Sequence, residues 1–73
     1  MVSKLAVLDA VALTVDLPGQ NLVRGQVGTI VEEWEPGVHE VEFADTSGVP
    51  YAMVALRREQ LMVLSWQPDE QGA

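Results

Sequence analysis

The feature that most constrains this chain is a nearly continuous alternation of apolar and polar residues, interrupted by short turn signals. In the stretch DAVALTVD, for example, Val11, Leu13 and Val15 recur at every second position. A period of two matches the alternating faces of a β-strand and differs from the 3.6-residue period of a helix. The sequence therefore predicts an all-β fold.

Turn signals divide the chain into five predicted strands. Proline and glycine at Pro18-Gly19 and Pro36-Gly37 mark two breaks, and the compact stretch DTSG marks a third. Residues 57–60 are too few for an α-helix and suit one 3₁₀ turn. The predicted strands are residues 9–16, 26–34, 38–44, 50–56 and 61–64.

Five short strands with a 3₁₀ turn before the last one predict a small SH3-like five-stranded barrel. We expect a single domain over residues 1–64, followed by a flexible polar tail over residues 65–73, where no periodic pattern continues. A five-stranded OB-type barrel is the alternative. That fold usually includes a helix, for which this chain has no room.

The fourth predicted strand is apolar on both faces. Its two faces would carry Tyr51, Met53 and Ala55, and Ala52, Val54 and Leu56, respectively. A strand covered on both sides needs a second layer, which residues 4–8 or a second copy of the chain would supply. A homo-oligomer is therefore one of the partners that the sequence leaves open.

Size and charge narrow the classes of function. A chain of 73 residues buries a thin core and leaves little room for an enclosed active site. It contains no cysteine, which excludes disulfides, thiolate metal sites and cysteine nucleophiles and fits a cytoplasmic location. No apolar run reaches the roughly 18 residues of a membrane span, so we expect no membrane association.

The acidic balance disfavours a nucleic-acid partner. Eleven acidic residues against four basic ones give a net charge of −7. Affinity for a phosphate backbone comes mainly from lysine and arginine, so a surface of this charge repels it. A partner attracted to this surface would instead be basic.

Residues suited to catalysis or metal binding are few. His39 is the only histidine, and none of the serines lies in a GxSxG elbow. Strand alternation would turn the side chain of His39 away from those of Glu40 and Glu42, so the three make a poor zinc site. We predict no catalytic residue, no metal site and no cofactor, and we interpret His39 as a rim histidine packed beside Trp34.

The second and third predicted strands carry an unusual number of glutamates. A two-residue turn at Pro36-Gly37 would place Glu33 directly opposite Glu40, a like-charge pair that costs up to about 1 kcal/mol. Such a face either keeps sheets from pairing edge to edge or attracts a cationic partner. Strict alternation would point Glu32 inward, so either the strand contains a bulge there or Glu32 lies at the barrel mouth.

Several sequence blocks resemble a known family. In order, they are LDAVALTVDLP, LVRGQVGTIVE, HEVEFADTSGVPYAMVAL and EQLMVL, and they cover about residues 8–64. They resemble the bacterial domain-of-unknown-function family 4926, which implies a small bacterial β-barrel protein and no activity or catalytic residue. The segment VRGQVGTIV is also similar to the glycine-turn signature of KOW and other SH3-like domains.

The leading hypothesis is a non-catalytic protein-interaction module that binds a basic protein. Immunity or antitoxin proteins that neutralise a nuclease work in this way. The expected partner-binding residues are Glu33, Trp34, Glu35, Glu40 and Glu42. The alternatives are an SH3-like or KOW-like domain that binds a small ligand or nucleic acid at the barrel mouth around Trp34, His39 and Tyr51, and a small self-assembling protein.

Overall fold

A computed structural model describes residues 5–64, and within them the chain forms five strands and two 3₁₀ turns. The strands are β1 (Ala10–Leu13), β2 (Val27–Glu35), β3 (Val38–Ala44), β4 (Pro50–Arg57) and β5 (Leu61–Val63). The 3₁₀ turns are Pro18–Gln20 and Arg58–Gln60, and the second confirms the turn predicted before the last strand. The predicted tail over residues 65–73 lies outside the described residues.

All five strands belong to one antiparallel sheet in the order β4-β3-β2-β1-β5. The all-β prediction is therefore confirmed. The sheet is not closed by hydrogen bonds, because within residues 5–64 β4 and β5 form its two edges. The three residues of β5 pair only with β1, so no strand links them to β4.

The first strand is shorter than residues 9–16 because the chain turns away after Leu13. The hydroxyl of Thr14 donates to the carbonyl of Glu59 at 2.9 Å. The carboxylate of Asp16 accepts from the backbone N–H of Arg24 at 2.8 Å. These side-chain contacts give the chain hydrogen bonds in place of a longer β ladder.

The core lies on one face of the sheet, and we call the opposite face the outer face. The buried cluster consists of Leu5, Val11, Leu13, Leu22, Ile30, Val41, Phe43, Leu56 and Leu61. Leu22, an apolar residue of the first loop, is buried in this cluster, whereas the neighbouring Val23 is exposed. Leu5, in the segment before β1, belongs to the same cluster as Leu56 of β4.

Gly28 lies where β2 and β3 approach most closely. A Cβ at this position would lie 2.7 Å from Cγ1 of Val41 and 2.9 Å from the carbonyl oxygen of Glu42. Both distances are shorter than van der Waals contact. Only glycine therefore fits here without moving one of the two strands.

Candidate functional site

Two β-bulges in β2 determine which glutamates face each other. Their register shifts lie between Ile30 and Glu32 and between Glu33 and Glu35. Each shift leaves one residue of β2, Val31 or Trp34, without a partner in β3. Because an extra residue moves all later side chains to the other face, the bulges reassign the hairpin.

The predicted pairing of Glu33 with Glu40 is wrong. Glu32 lies opposite Glu40, while Glu33 lies opposite His39. Trp34 is a bulge residue and has no partner in β3, so it does not lie opposite His39. Of the placements that the sequence left open for Glu32, the structure has the bulge. This bulge turns the side chain of Glu32 to the outer face.

Four carboxylates share the outer face. On β3 the side chains of His39, Val41 and Phe43 are buried, so the alternating residues between them point outward. Cross-strand partners occupy the same face of a sheet, and the glutamates of β2 follow their partners. The resulting group, which we call the outer acidic face, consists of Glu32, Glu35, Glu40 and Glu42.

Trp34 is attached to this face by its indole. Its Nε1–H donates to Oε1 of Glu40 at 2.6 Å. The side chain is nevertheless 58% exposed. Trp34 thus presents a broad apolar surface directly beside the opposed pair of Glu32 and Glu40.

The arginine on the outer face makes its ion pair elsewhere. Arg57 pairs with Val38 across β3 and β4, and Val38 in turn pairs with Glu35. The Nε of Arg57 lies 2.9 Å from the carboxylate of Glu59 in the following 3₁₀ turn. A hydrogen bond from its own backbone, and then the bond from Arg57, hold the pKa of Glu59 below its usual range. Arg57 therefore makes its ion pair with Glu59, which is not one of the four carboxylates of the outer acidic face.

His39 lies on the core face, away from Trp34, and its predicted place beside that indole is wrong. It is only 3% exposed, and its Nδ1 has no hydrogen-bond partner among residues 5–64. Its imidazole borders a cavity of about 350 Å³. The cavity is lined by Leu5, Glu33, Pro36, Gly37, His39 and Arg58. Glu33, expected on the docking face, belongs to this cavity instead.

The barrel-mouth cluster of Trp34, His39 and Tyr51 does not form. Trp34 is on the outer face and His39 on the core face, as described above. Tyr51 lies towards the other end of β3, where its ring centroid is 6.5 Å from that of Phe43. Its hydroxyl accepts a hydrogen bond from Nε2 of Gln26 at 3.0 Å.

Two further findings concern residues 5–64 only. No three or more His, Cys, Asp or Glu side chains in this range are grouped so as to hold a metal ion. The same range contains no helix long and apolar enough to cross a membrane.

Comparison with known proteins identifies one family. The model of the family described as Domain of unknown function (DUF4926) matches residues 7–63. No curated protein and no solved structure gave a match.

Proposed function

The chain belongs to the DUF4926 family, and we propose that it is a non-catalytic protein-interaction module that binds a basic protein through the outer acidic face. The observation that carries this proposal is the direct pairing of Glu32 with Glu40 on exposed sheet surface. Opposed like charges cost a sheet up to about 1 kcal/mol. A neutral pair at these positions would make the sheet more stable. We therefore infer that the two glutamates have a role other than folding.

The chemistry of the face matches a cationic partner. Clustered carboxylates attract lysine and arginine surfaces and speed the encounter of two proteins. Trp34 adds the kind of large, half-exposed aromatic side chain that dominates interface energies. The proposed partner-binding residues are therefore Glu32, Trp34, Glu35, Glu40 and Glu42, with Glu32 in the place first assigned to Glu33.

The class of partner follows from the same charge. A nuclease binds phosphates through a basic site, so an acidic protein of the immunity or antitoxin type would cover that site. We propose a cytoplasmic protein of this type. Its architecture is proposed to be SH3-like, supported by the strand order and by the 3₁₀ turn between the fourth and fifth strands.

Charge reversal on adjacent residues tests the proposed face. Glu32→Lys is expected to weaken binding of an oligo-arginine peptide about tenfold at low salt, since a reversed charge repels the probe. Glu33→Lys changes the net charge equally but lies on the core face, and it is expected to weaken binding less than about twofold. Fluorescence of Trp34 reports the titration in a Trp66→Phe background, which removes the second tryptophan.

The two variants separate a specific face from overall charge. Circular dichroism checks that both variants stay folded. If Glu33→Lys weakens binding as much as Glu32→Lys, net charge alone attracts the peptide and the proposed face is wrong. Raising the salt concentration should reduce binding of the unmodified protein, because the attraction is electrostatic.

A second candidate function rests on the cavity beside His39. The unpartnered Nδ1 of this buried imidazole is a polar atom that proteins usually satisfy. Glu33 and Arg58, two residues of opposite charge, also line the cavity. A small ligand with both a donor and an acceptor, such as an amino acid, would match this lining.

Fragment titration tests this second candidate. Glycine and leucine are expected to shift the backbone amide resonances of Glu33 and His39, whereas acetate and butylamine are expected to have little effect. Each of the latter carries one charge, so it can pair with only one of the two oppositely charged residues and is repelled by the other. Absence of shifts with both amino acids would rule out this ligand class.

A further inference from the structure

One long edge of the sheet, β4, contains no charge, proline or bulge from Ala52 to Leu56. Within residues 5–64, β4 pairs only with β3, so its other side is an edge. Its ladder with β3 runs without a bulge from Ala52 to Arg57. Between Pro50 and Arg57 the strand contains no charged residue and no further proline. Natural proteins normally protect such an edge with charges, prolines, bulges or short length.

The two edges of the sheet differ in how well they are protected against pairing with another strand. The opposite edge, β5, is protected by its length of three residues. In β4 the core-facing Val54 is partly exposed, and the outer side chain of Met53 is 52% exposed. Apolar surface is therefore incompletely covered on both faces of the same edge strand.

We propose that two copies of the chain pair antiparallel through β4. A strand offers its own complement when it is turned through a two-fold axis perpendicular to the sheet, so a second copy fits the free N–H and C=O groups. Side chains of the two β4 strands would also contact each other across the new pairing on each face, which removes part of their apolar surface from water. The product is one continuous antiparallel sheet made from both copies.

Strand geometry restricts the register of this pairing. Paired residues must lie on the same face, so one residue of β4 must pair with its own copy, and the two-fold axis lies midway between those two. In one register Met53 pairs with the partner's Met53. In another, Val54 pairs with the partner's Val54 and Met53 with the partner's Ala55. Both registers bury Met53 near the centre of the interface.

The charge distribution permits this arrangement despite the net charge of −7 on each copy. Glu40 and Glu42 lie on β3, one strand in from the edge. The two β3 strands would be separated by three strand spacings, about 14 Å. This exceeds the Debye length of about 10 Å at 0.1 M salt, so the two negative patches repel weakly.

Dimerisation would also affect how a basic partner binds to the outer acidic face. This consequence rests on the proposed function. Both outer acidic faces would lie on the same side of the joined sheet, because a two-fold axis perpendicular to a sheet preserves its faces. A basic partner with two suitable sites would then bind both copies, and the second contact would be intramolecular.

Two methionine variants provide a matched test. Met53 and Met62 are 52% and 55% exposed, and they lie on the opposite edge strands β4 and β5. Sedimentation equilibrium over a dilution series is expected to show a dimer for the unmodified protein. Met53→Lys should raise the dimer dissociation constant about tenfold or more, because it brings a charge into each half of the apolar interface. Met62→Lys should leave it within about twofold.

Each outcome decides the proposal. A monomer at all concentrations for the unmodified, folded protein would overturn it, as would a dimer that Met62→Lys disrupts and Met53→Lys does not. Protection of β4 amides from hydrogen exchange in a monomer would show that the chain covers its own edge, and would overturn it as well. The dimer should persist as salt is raised, whereas peptide binding should weaken. Dimerisation and peptide binding can therefore be measured separately, and failure of one leaves the other testable.

Discussion

Replacement of Phe43 by alanine is expected to lower the free energy of unfolding by about 3–5 kcal/mol. Among residues 5–64, Phe43 has the largest of the fully buried side chains, and its exposed fraction is 0%. A domain of 73 residues has a total stability of only about 4–11 kcal/mol. The substitution should therefore remove a large fraction of the total stability. Urea unfolding followed by circular dichroism measures the loss.

A surface valine provides the control for this core substitution. Val49 is exposed in the loop before β4, and Val49→Ala is expected to change stability by no more than about 0.5 kcal/mol. All variants should be compared at one protein concentration, because self-association would make stability depend on it. A loss below about 1 kcal/mol for Phe43→Ala would contradict the central place of this ring in the core.

Gly28→Ala is expected to destabilise the protein by about 1–3 kcal/mol, because it overpacks the β2–β3 contact. The added Cβ would meet the side chain of Val41 and the backbone carbonyl of Glu42. A side chain can rotate away, but the carbonyl is fixed by the strand, so β2 must shift. Chemical denaturation measures the loss, and amide shift changes in β3 would locate the displacement.

Gly19 is the matched control for Gly28. A Cβ at Gly19 would meet no atom within 4 Å, and its φ is not in the left-handed region. Gly19→Ala is therefore expected to be neutral, or stabilising by up to about 1 kcal/mol through a less flexible unfolded chain. Equal stability of the two alanine variants would contradict the tight approach of β2 to β3.

The strands and turns were predictable because local pattern determines them. Alternation located each strand, and Pro36-Gly37 located the hairpin turn, where Gly37 has a φ of +85°. The faces of β4 were also predictable in part, since Leu56 is buried and Met53 is exposed. Tyr51 departs from the pattern because a register shift at the start of β4 leaves it without a partner on β3.

The composition of the candidate site was harder to predict because it depends on register. Each bulge in β2 adds one residue and exchanges the two faces of the strand beyond it. The available signal was the run Glu32-Glu33, where alternation fails and one carboxylate would otherwise enter the core. That signal indicated a bulge but did not give its position. The second bulge, at Trp34, had no distinct signal in the sequence.

Closure of the barrel was not predictable from local pattern either. It requires the two end strands of the sheet to meet, which is a property of distant segments. The predicted fifth strand of residues 61–64 is close to the observed Leu61–Val63, but within residues 5–64 this strand pairs with β1 alone. The orphan Nδ1 of His39 likewise depends on contacts that alternation cannot specify.

The bulges at Val31 and Trp34 also govern how sequences of this hairpin should be aligned. Removal of an unpaired bulge residue leaves the flanking pairs intact, because Ile30 with Val41 and Glu32 with Glu40 then become consecutive rungs. A related chain one residue shorter here should therefore lack a bulge residue and keep its turn. Placing the gap at Pro36-Gly37 instead would compare Glu32 with residues from the opposite surface.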